Sequence, residues 1–201
     1  MEKEPSKLVE LVERFYRMVK LSGLFWLQLA KNALVYGLFS SLYSGFVFLA
    51  NSDLQSARFT QVMKDTRSQL PYHRLLSFCW FLLLSSLGAG FWFTSCSNQG
   101  LQLWLFAGSL FLQIWTIYLI WLAYVAQRLQ GALAYAQALN LLIRHPMISL
   151  SMWVLLWGCI VIGYLNIPLF LLVAPGLTLT LWRKLLRRPT LDVDPVLEQK
   201  V

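Results

Sequence analysis

No charged residue stands between Arg74 and Arg128. The 53 residues from Leu75 to Gln127 are mostly Leu, Phe, Trp, Ile, Ala, Gly and Ser. A further 38 residues, His145 to Trp182, are uncharged when His145 is neutral. A bilayer core about 30 Å thick takes roughly 20 apolar residues per helical crossing. Each stretch is therefore long enough for two crossings joined by a short turn. The chain reads as an integral membrane protein.

The rest of the composition agrees. Of 201 residues, 58% are hydrophobic and 13% charged, which leaves no room for a second soluble domain. The net charge of +8 would suit a nucleic-acid partner. Here, however, the basic residues gather at the ends of apolar runs, where they answer to the positive-inside rule and to anionic headgroups. No carboxylate lies between Asp65 and Asp192. That excludes paired-carboxylate catalysis within the bilayer and argues against a carboxylate-coupled ion pump. Cys79, Cys96 and Cys159 show no paired spacing, and His73 and His145 stand alone, so neither a disulfide framework nor a metal site is expected. No cleavable signal peptide is evident, and the first membrane helix is expected to act as its own insertion signal.

Ser6 is placed to cap a helix that starts near Lys7. Leu8, Leu11, Val12, Phe15 and Val19 fall at helical spacing, and Glu10–Arg14 and Glu13–Arg17 are favourable i,i+4 pairs. Residues 1–20 are therefore read as an amphipathic interfacial helix. Residues 21–186 follow as the transmembrane helical domain, and residues 187–201 as a disordered cytosolic tail.

The expected fold is an all-α polytopic membrane bundle of six transmembrane helices in three hairpins. Helix one runs from about Arg17 to Tyr36, with Gly37 at the turn, and helix two from about Phe39 to Asp53. Helix three spans about Leu75 to Phe93 and helix four about Leu101 to Ala126, joined by the polar turn Thr94–Gly100. Leu129 to Ile143 extends or skirts the membrane, with Gly131 at a bend. Pro146 suits the first turn of helix five, Met147 to Gly163. Helix six covers about Ile167 to Trp182, and Pro175-Gly176 predicts a break in it.

This arrangement puts 16 of the 17 Lys and Arg residues inside, with Lys31 alone toward the outside. The alternative with five crossings leaves 11 inside and six outside, so charge counting favours six. Trp92 and Trp104 then mark the outer aromatic belt, and Trp80, Trp121 and Trp182 the inner one.

Close helix packing in lipid calls for small residues. Ser40, Ser41, Ser44 and Gly45 form one such face on helix two. Ser85, Ser86, Ala89 and Gly90 form another on helix three. Intramembrane polar groups are the default place to look for function. Lys31, Asn32 and Gln113 are the candidate polar site, with Gln28, Thr178 and Thr180 beside them. Lys31 has no acidic residue at membrane depth to pair with, so it reaches the outer headgroups or faces a pocket for an anionic solute. The competing reading of these groups is plain interhelical hydrogen bonding. No Walker motif, H-E-x-x-H or Gly-rich dinucleotide loop is present, and no cofactor is expected. A membrane enzyme would have to draw on Asp65, Tyr72 and His73.

The order of motifs resembles that of the YesL-like family of small bacterial membrane proteins. Leu24-Phe25-Trp26-Leu27, Val35-Tyr36-Gly37-Leu38-Phe39-Ser40-Ser41, Arg144-His145-Pro146 and Ala174-Pro175-Gly176-Leu177 carry the likeness. Ser40 stands where the family pattern has Pro. The resemblance covers roughly residues 15–186. It implies a bacterial cytoplasmic-membrane protein, without catalytic residues, that serves as an accessory or regulatory partner of a carbohydrate transporter. The lipid bilayer and a transporter are the expected partners, both termini are expected in the cytosol, and no nucleic acid is involved. The alternative is a transport subunit that itself binds a small solute, as six helices in about 200 residues would suit.

Overall fold

The computed structural model describes residues 7–32, 35–51, 74–94, 99–129 and 131–191. Ser6, most of the segment between the second and third expected helices (with Asp65, Tyr72 and His73), Cys96, Gln130 and the last ten residues lie outside the described residues.

Among the described residues the chain forms eight helices and no strand. They are α1 (Lys7–Lys31), α2 (Gly37–Ala50), α3 (Arg74–Thr94), α4 (Gln99–Val125), α5 (Ala132–Arg144), α6 (Pro146–Leu165), α7 (Ile167–Leu172) and α8 (Ala174–Leu191). The expected all-α class is observed. The interfacial helix and helix one are a single element, since α1 runs unbroken through residue 20. Gly37 opens α2 and does not form the turn. The last apolar segment does break, at Val173, and Pro175 falls in the first turn of α8, where its missing N–H does no harm. α8 continues through Leu191, into the stretch expected to be a disordered tail.

Among the described residues three helices are long and apolar enough to cross a membrane: Arg74–Trp92, Gln102–Val125 and Pro146–Leu165. The count of six is not carried. α2 has 14 residues, about 21 Å at 1.5 Å per residue, which is short of a bilayer core. α1 carries Glu10, Glu13, Arg14, Arg17 and Lys20 within its length. The three-hairpin arrangement also fails on a contact. It sets Gly37 outside and Leu75 inside, yet the Ser77 hydroxyl accepts the Phe39 N–H at 3.0 Å. Tyr36 stacks on Phe78 with ring centroids 5.7 Å apart. Residues in such contact cannot lie on opposite faces of a membrane.

α1 and α2 are antiparallel. Lys20 lies over the Phe48 ring at one end, and Asn32 bonds Ser40 at the other. α2 and α8 run the same way: Gly45 abuts Leu179, and Arg183 donates to the Leu49 carbonyl. α6 and the α7–α8 segment form a hairpin, with Gly163 against Phe170 and Cys159 against Thr178. The start of α1, the end of α2 and the basic half of α8 therefore share one end of the bundle.

The core is built from α1, α2, the second half of α4 and α8, around Leu24, Phe46, Phe48, Trp121, Leu122 and Leu186. α3 and α6 stay on the outside; only 6% of each span is buried within the chain. α3 meets α4 through Gly90 against Leu105 and Gly108 against Leu87. Trp92 and Trp104, at 82% and 77% exposure, flank the far end of that hairpin. Exposed tryptophans at a helix end suit a headgroup region.

Candidate intramembrane polar site

Backbone N–H groups in a helix's first turn have no partner within the helix. In lipid there is no water to satisfy them. Two helices solve this with a serine from another helix. Ser77 of α3 accepts from Phe39 in the first turn of α2, whose own flanking Tyr36 makes no side-chain cap. Ser22 of α1 accepts from Gly176 in the first turn of α8 at 2.9 Å. Both N–H groups sit at the third helical position, the one a local capping residue would serve. A Cβ built on Gly176 would fall on the Met18 carbonyl oxygen, so α8 meets the α1 backbone there with no spacer.

The site expected from sequence does not assemble. The Asn32 side chain donates to the Gln28 carbonyl at 2.8 Å and to the Ser40 hydroxyl at 2.9 Å. It staples the α1–α2 turn, where Gly37 packs on the Leu29 backbone. Lys31 is exposed at the end of α1 and makes no ion pair among the described residues. Gln113, on α4, accepts the indole N–H of Trp153 on α6. No shared partner links it to Lys31 or Asn32. Gln28 is buried at 4% exposure. Thr178 and Thr180 donate back to Ala174 and Gly176 within α8, the usual resort of a hydroxyl inside a helix.

Sequence reasoning missed the role of the tryptophans. Trp80 of α3 donates to Thr116 of α4 at 2.8 Å. Trp153 of α6 donates to Gln113 of α4, and Trp121 of α4 to Ser149 of α6 at 3.2 Å. Three indoles thus tie α4 to α3 and to α6. Trp121 is fully buried, not part of an inner belt. A signal existed in the sequence: Gln113, Thr116 and Ser149 are polar residues inside apolar runs that also hold tryptophans.

The basic end has its own order. The Arg183 guanidinium caps the C-terminal carbonyls of α2 through Leu49, where the helix dipole favours a cation. Burial lowers its pKa, Tyr124 nearby acts to raise it, and Arg187 to lower it. Between α1 and α7 lies an apolar groove of about 580 Å³, lined by Tyr16, Lys20, Gly23 and Trp26 among others.

Among the described residues, no group of three His, Cys, Asp or Glu could hold a metal ion. The polar groups that are brought together join helices. No family model matches the chain, and neither does any curated protein or solved structure.

Proposed function

We propose that this protein works as a non-enzymatic, multi-pass membrane component that acts through helix contacts with another membrane protein. The observation that supports this most is the bareness of α3 and α6, each only 6% buried in its own chain. On α3, Ser85, Ser86 and Ala89 face outward, and the Ser86 hydroxyl is satisfied by the Leu83 carbonyl. Of that group, Gly90 lies against Leu105 of α4, while the other three are exposed among the described residues. Small, self-satisfied residues on an exposed apolar helix suit close approach of a second helix better than they suit lipid contact.

The partner class we propose is a carbohydrate uptake transporter of the bacterial cytoplasmic membrane. This part rests on the resemblance to YesL-like proteins. The shared basic end, with Arg17, Lys20 and Arg183, supports cytosolic placement of both ends of the helical body. The rival reading, a solute-binding transport subunit, has less behind it, because Asn32 and Gln113 are already bonded to Ser40 and Trp153.

The test is photo-crosslinking in native membranes with a photoreactive residue at Ala89 or Ser85, followed by mass spectrometry of the adducts. Reproducible adducts with one membrane protein support the reading and identify the partner. Adducts with lipid alone would overturn it.

A further inference from the structure

The groove between α1 and α7 carries an inference independent of any protein partner. On α1, residues 16, 19, 20, 23, 26 and 27 follow the i, i+3, i+4 spacing of one helical stripe, so their side chains share a face. That stripe forms the groove's long wall, and Leu171 and Leu172 of α7 close it. The indole of Trp26 donates to the Leu171 carbonyl at 2.8 Å and holds the two walls together. In the middle of the stripe stands Gly23. Glycine contributes no side chain to that part of the lining.

The two ends differ in chemistry. From Gly23 to Leu27 the lining is apolar or aromatic. At the other end stands Lys20, which among the described residues is the only cation in the lining, and none of the described lining residues is a carboxylate. Lys20 is 8% exposed, with its ammonium over the Phe48 ring. Arg14, Arg17 and Lys184 lie at this same end of the bundle and are exposed. The distance along α1 from Lys20 to Leu27 is about 10 Å at 1.5 Å per residue, which suits part of an acyl chain. The volume of about 580 Å³ lies within the range of ordinary small-ligand sites.

We propose that this groove binds one anionic phospholipid of the surrounding bilayer. An acyl chain lies across Gly23 toward Trp26, and the phosphate sits at the Lys20 end. An ammonium has three donors and can serve a phosphate beside the contacts it already makes. Charge complementarity selects an anionic over a zwitterionic headgroup.

The test uses the full chain, purified in mild detergent and supplied with phosphatidylglycerol or phosphatidylcholine. The readouts are the thermal unfolding midpoint and the lipid retained in native mass spectrometry, since a ligand of the native state raises stability. Phosphatidylglycerol is expected to raise the midpoint and to be retained at one copy, and phosphatidylcholine to do neither. Gly23→Leu fills the groove and is expected to abolish both effects. Lys20→Gln should remove the preference for the anionic lipid. Equal responses of the native chain to the two lipids would overturn the proposal. So would full phosphatidylglycerol retention by Gly23→Leu. If Lys20→Gln does not fold, the Gly23→Leu comparison and the native chain's lipid preference still decide.

Discussion

The hydroxyl of Ser22 on α1 accepts the backbone N–H of Gly176 on α8, across 154 positions of sequence. This bond joins the first and last long helices among the described residues.

Replacing Gly176 with Ala should destabilise the fold, although in an ordinary helix interior that change gains up to about 1 kcal/mol. The new Cβ lands on the Met18 carbonyl and the Ser22 hydroxyl, and overpacking of this kind costs about 1–3 kcal/mol. Gly88→Ala on α3, where a Cβ meets nothing within 4 Å, should show the opposite sign. Thermal unfolding of both variants in one detergent checks the contrast. Equal shifts would mean that α8 does not sit on α1 as described.

Ser77→Ala should lower the unfolding midpoint by more than an exposed serine substitution such as Ser85→Ala. It removes an acceptor from the buried Phe39 N–H, and loss of a buried hydrogen-bond partner costs about 1–3 kcal/mol. Unchanged stability would show that another group takes over as acceptor.

Cysteines at positions 36 and 78 should be joined by a short bifunctional thiol reagent in a background free of native cysteines. The rings of Tyr36 and Phe78 are stacked with centroids 5.7 Å apart. Treatment of native membranes, read by gel mobility after cleavage between the two positions, tests it. The arrangement with Gly37 and Leu75 on opposite membrane faces predicts no cross-link.

Gln113→Leu and Trp153→Phe should each weaken the contact between α4 and α6. The double variant should be less destabilised than the sum of the two, because it leaves no orphaned group. Coupling of about 0.6 kcal/mol, with about 1.7 as an upper bound, is the scale found for such bonds in membranes. A double-mutant cycle yielding no coupling would remove Gln113 from the list of helix-joining groups.

Lys31→Met should leave stability within about 0.5 kcal/mol of the native chain, as for surface changes with no special partner. Lys31 is exposed and makes no ion pair among the described residues. A large loss in thermal unfolding would point to an interaction the fold does not display.

Sequence reading did best where a long run of one chemistry decides the outcome. The limits of α3 and α4 fall within two residues of the expected ones, because 53 uncharged residues leave little choice. Pro146 and the Pro175-Gly176 pair marked a helix start and a break through the geometry of proline itself. The failures share one physical origin. Apolar residues look alike whether they face lipid or other helices, so α2 was read as a crossing when its Phe39, Phe46 and Phe48 are buried in the core. Trp121 was read as a belt residue for the same reason. Asn32 and Gln113 stand out in the sequence as polar groups in apolar surroundings, but Ser40 and Trp153 come from other helices and no local pattern names them. Ser22 and Ser77, the two caps supplied from a distance, drew no notice, since serine is common in these helices.

Those two caps also bear on how the chain is made. A ribosome releases Ser22 long before Gly176, so the acceptor waits in the membrane for a donor that arrives with the final segment. For α2 the order is reversed: the Phe39 N–H emerges first, and its acceptor Ser77 follows. That acceptor follows 38 residues later in synthesis, and α8 is the last of the described helices to join the body. Nascent chains halted before Ala174 should be cleared by membrane proteases faster than the finished protein. Equal lifetimes in a pulse-chase experiment would mean that the body is already sealed without its last helix.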